Sequence, residues 1–219
     1  MSSDLQKIYA RRTTDLEEPR RLGVWREITR FLERWIDPSS TVLDIGCDRG
    51  SFINEVHAGR KIAADLRDVA QHIAPDVEFI RTDGLVLLDH LEPASVDVVF
   101  MSNYLEHLRS ADDVLEQLNV VTRLLRPGGR VIVLQPNIRL VGFSYWDFLD
   151  HKTALTDRSL EEASQTAGLK TERLIARFLP YTTKSRYPQN RLLVRAYLRF
   201  PPAWFLMGRQ TLLVARRPE

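Results

Sequence analysis

Two histidines, His107 and His151, are the side chains of this 219-residue sequence best suited to moving a proton near neutral pH, because an imidazole titrates in that range. His107 lies in "SNYLEHL" and His151 in "WDFLDHK", each just beyond an apolar run. Either could take the proton of an acceptor hydroxyl. Asp147 and Asp150, which flank Trp146, Phe148 and Leu149, could orient a histidine or bind sugar hydroxyls, and a capped surface turn would explain them equally well. Asn103, Glu106 and His107 stand at i, i+3 and i+4, which on a helix would share a face and, with His151, offer oxygen and nitrogen donors to a metal. One carboxylate is fewer than a magnesium site prefers, so no metal ligand is assigned.

A second set of candidates is acidic. "VLDIGCDRGSF" (42–52) runs an apolar strand into Asp44 and a turn through Gly46, Cys47 and Gly50. With a helix beginning near Ser51, such a turn would aim free backbone N–H groups at an anionic group. The turn is not G-x-G-x-x-G, which counts against nicotinamide-dependent hydride transfer. Asp65 ends the next apolar run about twenty residues on, where a ribose-hydroxyl acceptor would stand, and Asp83 ends the third.

The elements that must carry these residues can be read from periodicity. Strand-length apolar runs occur at 41–45, 61–65, 77–83, 96–102 and 129–136, with later ones at 170–178 and 209–217. Between them, 111–125 repeats apolar residues at helical spacing and stops at "RPGG", and 156–169 reads as a helix capped by Thr156 or Asp157 and ended at Gly168. Alternating strands and helices predict a parallel sheet covered on both faces, with ligands bound beyond the carboxyl ends of its strands. Leu22, Trp25, Ile28, Phe31, Leu32 and Trp35 form the apolar stripe of a helix before the first strand. Residues 192–207 interleave aromatic and aliphatic residues with Arg195 and Arg199. Pro201 and Pro202 argue against one continuous helix there. This segment is suited to packing on the domain, to a homodimer contact, or to a peripheral lipid interface.

Length allows one well-buried domain rather than two. Its parts are a helical cover (1–38), a ligand-binding core (39–136), and substrate-side loops with C-terminal strands (137–219). The start lacks an apolar stretch of signal-peptide type, and Cys47, the one cysteine, permits neither an internal disulfide nor a cysteine zinc site. A cytoplasmic location is expected. Charge is nearly balanced, 31 basic against 29 acidic residues, so nucleic acid is not an expected partner. The chain beyond Lys170 is nevertheless basic, with only Glu172 and Glu219 opposing its lysines and arginines.

Taken in order, "VLDIGCDRG", "AADL", "RTDG", "VDVVFMSNYLEHL" and "LRPGGRVIVLQP" resemble the successive motifs of class I S-adenosylmethionine-dependent methyltransferases, over roughly residues 40–136. The resemblance implies an α/β, Rossmann-like doubly wound fold with a mainly parallel seven-stranded sheet and helices on both faces. It also implies S-adenosylmethionine as cofactor. Asp44, Gly46, Cys47 and Gly50 would frame its methionine end, Asp65 would accept from the ribose hydroxyls, and Leu66 would lie on the adenine. Asp83 with the Gly84 amide would meet the adenine edge, and Ser102 and Asn103 would lie near the transferable methyl group. Asp48 stands where the family usually has glycine, narrowing the turn and adding negative charge, although Asp tolerates left-handed backbone angles. The stretches 135–160 and 177–185 are similar to a bacterial subgroup associated with glycan synthesis, which suggests a small-molecule or glycan hydroxyl as acceptor. RNA or protein methylation, and cofactor binding without catalysis, remain open readings; a dehydrogenase ranks last.

Overall fold

The structure is a computed structural model that describes residues 18–181 and 190–219. Residues 1–17 of the helical cover and 182–185 of the 177–185 stretch lie outside the described residues. Seven strands form one sheet: β1 (Thr41–Ile45), β2 (Arg60–Asp65), β3 (Val77–Arg81), β4 (Val96–Ser102), β5 (Leu125–Pro136), β6 (Lys170–Leu179) and β7 (Gln210–Arg216). Their order is β3-β2-β1-β4-β5-β7-β6, with β1 to β5 parallel and β7 antiparallel to both neighbours. The chain reverses direction across the sheet between β1 and β4, which opens a crevice at their carboxyl ends.

The strands alternate their side chains between two cores, as period-two geometry requires. In β4, Val99 and Met101 face one core while Val98 and Phe100 face the other; Val131 and Val133 of β5 oppose Ile132 and Leu134 in the same way. On the first face lie α2 (Ala111–Leu124) and α3 (Asp157–Thr166), which contribute Val114, Leu118, Val121 and Leu160. Ser110 caps α2 by accepting from the Asp113 amide, and Thr156 and Ser159 cap α3 reciprocally. On the opposite face α1 (Glu18–Leu32) buries Ile28, Phe31 and Leu32.

Several boundaries differ from those periodicity predicts. The helix expected near Ser51 is a run of turns with isolated i+4 bonds, Asn54 to Gly50 and Val56 to Phe52. Asp48 and Gly50 hold left-handed angles (φ 48° and 68°), which leaves too few residues before β2 for a stable helix. The "RPGG" expected to end α2 belongs instead to β5, where the register against β4 shifts between Val96–Leu125 and Val98–Arg130. Residues 126–129 stand opposite Asp97 alone, and this irregularity takes up the two glycines.

Between β6 and β7 the chain forms two helices, α4 (Arg191–Arg199) and α5 (Pro201–Met207). The prolines occupy the first turn of α5, where the lost N–H costs nothing, and Phe200 breaks the two apart. Trp204 of α5 packs edge-on against Phe31 and Phe178, and its Nε1–H donates to the Tyr197 carbonyl. Arg191 and Arg195 of α4 pair with Glu27 of α1 at 2.5 and 2.8 Å, and Arg30 pairs with it at 3.1 Å. Arg195 and then Arg191 outweigh burial and lower the Glu27 pKa to about 2. Among the described residues no helix is long and apolar enough to cross a membrane.

Candidate functional site

The acidic strand ends converge. Asp44 is buried at the end of β1, and burial, with Asp65 and Asp48 nearby, raises its carboxyl well above the ordinary range. Gly46 (φ 72°) turns the chain so that its own amide and that of Cys47 donate to the Ala64 carbonyl of β2 at 2.8 and 3.2 Å. A Cβ there would come within 2.6 Å of the Tyr104 ring, so close packing as well as φ requires glycine. Gly50 does not line the cavity; its absent Cβ leaves room for Asn54, which bonds the His72 carbonyl and the Ala74 amide. It shapes the turn from behind. Cys47 faces the cavity, but burial and the surrounding carboxylates push its thiol pKa up, which disfavours a thiolate nucleophile.

Asp48 adopts the left-handed conformation expected of it, and its charge is answered on two sides. Arg21 of α1 reaches one carboxylate oxygen at 2.8 Å and Arg67 the other at 2.9 Å. Burial opposes the ionised form, yet the two guanidiniums outweigh it and hold Asp48 below the usual carboxylate range. Arg67 also binds Asp65, through Nε at 3.1 Å and a terminal nitrogen at 3.0 Å, while the Asp48 amide donates to Asp65 at 3.0 Å. Asp65 is therefore fixed in place, and a ribose would share its oxygens with Arg67. Sequence spacing gives no sign of Arg21, which lies 27 residues from Asp48. Arg67, two positions after Asp65, was open to notice as a nearby cation.

Beyond β3, Asp83 accepts from the Leu85 amide, and Gly84 lies against Tyr104. A Cβ on Gly84 would sit 2.3 Å from the Tyr104 hydroxyl, which donates to Gln117 at 2.8 Å, and Gln117 in turn donates to the Gly84 carbonyl. Tyr104 and Gln117 thus brace the wall that carries Gly46 and Gly84; helical periodicity reads Gln117 only as a polar position. Leu66 is half exposed on the cavity wall.

At the end of β4, Ser102 accepts from the Asn103 side chain, and Asn103 takes left-handed angles (φ 48°). Residues Leu105–His107 form a single 3-10 turn. The helical face expected to join Asn103 with Glu106 and His107 therefore does not form. Instead the ligand atoms of Glu106, His107 and His151 come within 4.8 Å of one another. The His107 and His151 rings stand 5.3 Å apart, with His151 stacked on Phe148. His107 Nδ1 lies 3.1 Å from the Asp150 carbonyl and 3.3 Å from its carboxylate. Donating Nδ1–H there leaves Nε2 as the basic nitrogen. Of the two acids beside the aromatics, it is Asp150 that orients a histidine. The loop is clasped to the 105–107 turn by the Lys152 and Thr153 amides, which donate to the Glu106 carbonyl at 2.8 and 3.1 Å, and by Thr153 Oγ1 on the Leu108 carbonyl. Glu106 is buried, and burial raises its carboxyl pKa.

One cavity of about 1180 Å³ joins these parts, and its lining includes Asp44, Asp65, Asp83 and both histidines. That is at the upper end of the roughly 300–1,000 Å³ typical of small-ligand sites.

A family model described as a methyltransferase domain matches residues 16–174. No curated protein matches the chain. Among solved structures, an S-adenosylmethionine-dependent methyltransferase from Archaeoglobus fulgidus superposes with a TM-score of 0.68 at 16% identity, covering 92% of this chain and 98% of that one. A methyltransferase of Haloferax volcanii, in complex with the Trm112 methyltransferase activator, gives 0.66 at 17% identity over 93% and 92%. A Mesorhizobium loti S-adenosylmethionine-dependent methyltransferase gives 0.64 at 20% identity over 85% and 95%. At these identities what is shared is the fold.

Proposed function

This chain belongs to the methyltransferase-domain family, and we propose that it is an enzyme that methylates a hydroxyl of a small molecule or glycan with S-adenosylmethionine as donor. The observation that carries this reading is that the acidic strand ends and the histidine pair line the same cavity. Asp44, Gly46, Cys47, Asp65, Leu66, Asp83, Gly84, Ser102 and Asn103 are among its lining residues and would hold the cofactor. When bound, the cofactor supplies a methyl group activated by a sulfonium. The residues then have to align the acceptor oxygen in line with the methyl carbon and remove its proton as the O–C bond forms. His107, whose Nδ1 is engaged by Asp150 so that Nε2 is left to accept, and His151 beside it would carry out that removal.

The glycan assignment rests on the likeness of 135–160 to a glycan-associated subgroup. The nearly balanced charge argues against RNA, and competition by a polyanion would favour that alternative. The closeness of Glu106, His107 and His151 supports a second reading in which a divalent cation orients the acceptor; activity unchanged by chelator and by added magnesium would remove it. The decisive test is transfer of labelled methyl to a panel of sugars and small alcohols. His151→Ala and His107→Ala should reduce transfer while S-adenosylhomocysteine still binds. Cofactor binding without transfer to any acceptor would favour a non-catalytic binder.

A further inference from the structure

Part of the cavity lining has a different chemistry. This apolar arm is contributed by α1, the end of β6 and the α4–α5 pair, with Val24, Trp25, Ile28, Leu179, Val194 and Met207. Arg21 of α1 lines the same cavity but is turned to Asp48. Of the α4 arginines, Arg191 and Arg195 are committed to Glu27, and none of Arg191, Arg195 and Arg199 lines the cavity. The arm ends at an apolar rim, where Leu193 and Phe200 line the cavity while remaining 52% and 60% exposed.

We infer that the acceptor is amphiphilic, with its hydroxyl at the His107–His151 pair and an apolar chain lying in this arm. The inference rests on the methyltransferase reading above and names the acceptor class that reading leaves open. A free sugar would leave the arm's apolar walls in contact with water, whereas an alkyl or prenyl chain would cover them. The arm is continuous with the histidine pair through Phe148, which stacks on His151 and also lines the cavity. A chain that entered along it would present its polar end to the imidazoles.

The test uses the whole chain and a homologous series, hexyl to nonyl β-D-glucoside below micelle-forming concentrations, titrated with and without S-adenosylhomocysteine. Each methylene buried in the arm should tighten binding about fourfold. Ala203→Trp, which adds a ring at the cavity wall, and Val194→Asp, which adds a charge there, should each flatten that dependence while S-adenosylhomocysteine affinity, the check that the fold is kept, stays unchanged. Equal affinity across the series would overturn the inference, as would an undiminished chain-length dependence in both variants, which would place the chains on the outer surface. Failure of the wild type to bind S-adenosylhomocysteine while the chain-length dependence persists would count against the methyltransferase reading and leave the arm assignment standing.

Discussion

Asp48→Asn tests whether the turn tolerates its charge because two arginines answer it. Asparagine keeps the shape and the tolerance of φ 48°, so the change isolates charge. Asp48 makes two charge-assisted bonds, 2.8 Å to Arg21 and 2.9 Å to Arg67. Each such bond contributes about 1.5–3 kcal/mol when shielded. The amide retains one acceptor, and partial exposure screens what is lost, so the expected destabilisation is about 2 kcal/mol. For a chain of 219 residues that lowers the melting temperature by about 4–8 °C. Arg21→Met should cost about 1 kcal/mol less in the Asp48→Asn background than in the wild type. Asp48→Gly loses the same pairs but gains about 1 kcal/mol from its freedom in the left-handed region. Because the Asp48 pKa is lowered on folding, its contribution is present above the unfolded value of about 3.9 and is lost as pH falls through the folded value. Urea denaturation of the four proteins of the cycle, repeated at acid pH, supplies the numbers. Stability of Asp48→Asn equal to wild type at neutral pH, or strict additivity with Arg21→Met, would refute the reasoning.

Glu27→Gln should loosen α4 from α1, seen as faster amide exchange in 191–199, and the contrast with wild type should vanish as pH drops toward the folded Glu27 pKa of about 2. Gly84→Ala should drive a methyl into the Tyr104 hydroxyl and Gln117, costing about 1–3 kcal/mol in denaturant titration and weakening cofactor affinity together. Once an acceptor is in hand, alanine at the histidine that serves as base should lower kcat by about 10²–10⁴ with S-adenosylhomocysteine affinity preserved. Asp150→Asn should lower transfer with S-adenosylhomocysteine affinity preserved, because the charged acceptor 3.3 Å from His107 Nδ1 that helps to hold the ring is lost.

What the sequence made legible was local. Strand-length apolar runs marked all seven strands, and their alternation with helical segments foretold a sheet covered on both faces. Asp44, Asp65 and Asp83 were legible as strand ends, and the fold places them along one cavity. The post-β1 helix failed because the glycine and aspartate that shape the turn consume its length. Arg21, Tyr104 and Gln117 were invisible as site residues because their partners lie in other elements, and no periodicity encodes a contact between α1 and a turn or between α2 and Gly84. Asn103 illustrates the reverse error: an i, i+3, i+4 spacing implies a shared face only where a helix forms, and here the backbone turns left-handed.

Calorimetric titration of the purified chain with S-adenosylmethionine and S-adenosylhomocysteine, repeated on Asp65→Ala, meets the central claim most directly. The account predicts micromolar binding by the wild type and a loss of about a hundredfold in a variant that still melts cooperatively, since two ribose bonds to a carboxylate would go. No binding by the wild type, or equal affinity in Asp65→Ala, would contradict it.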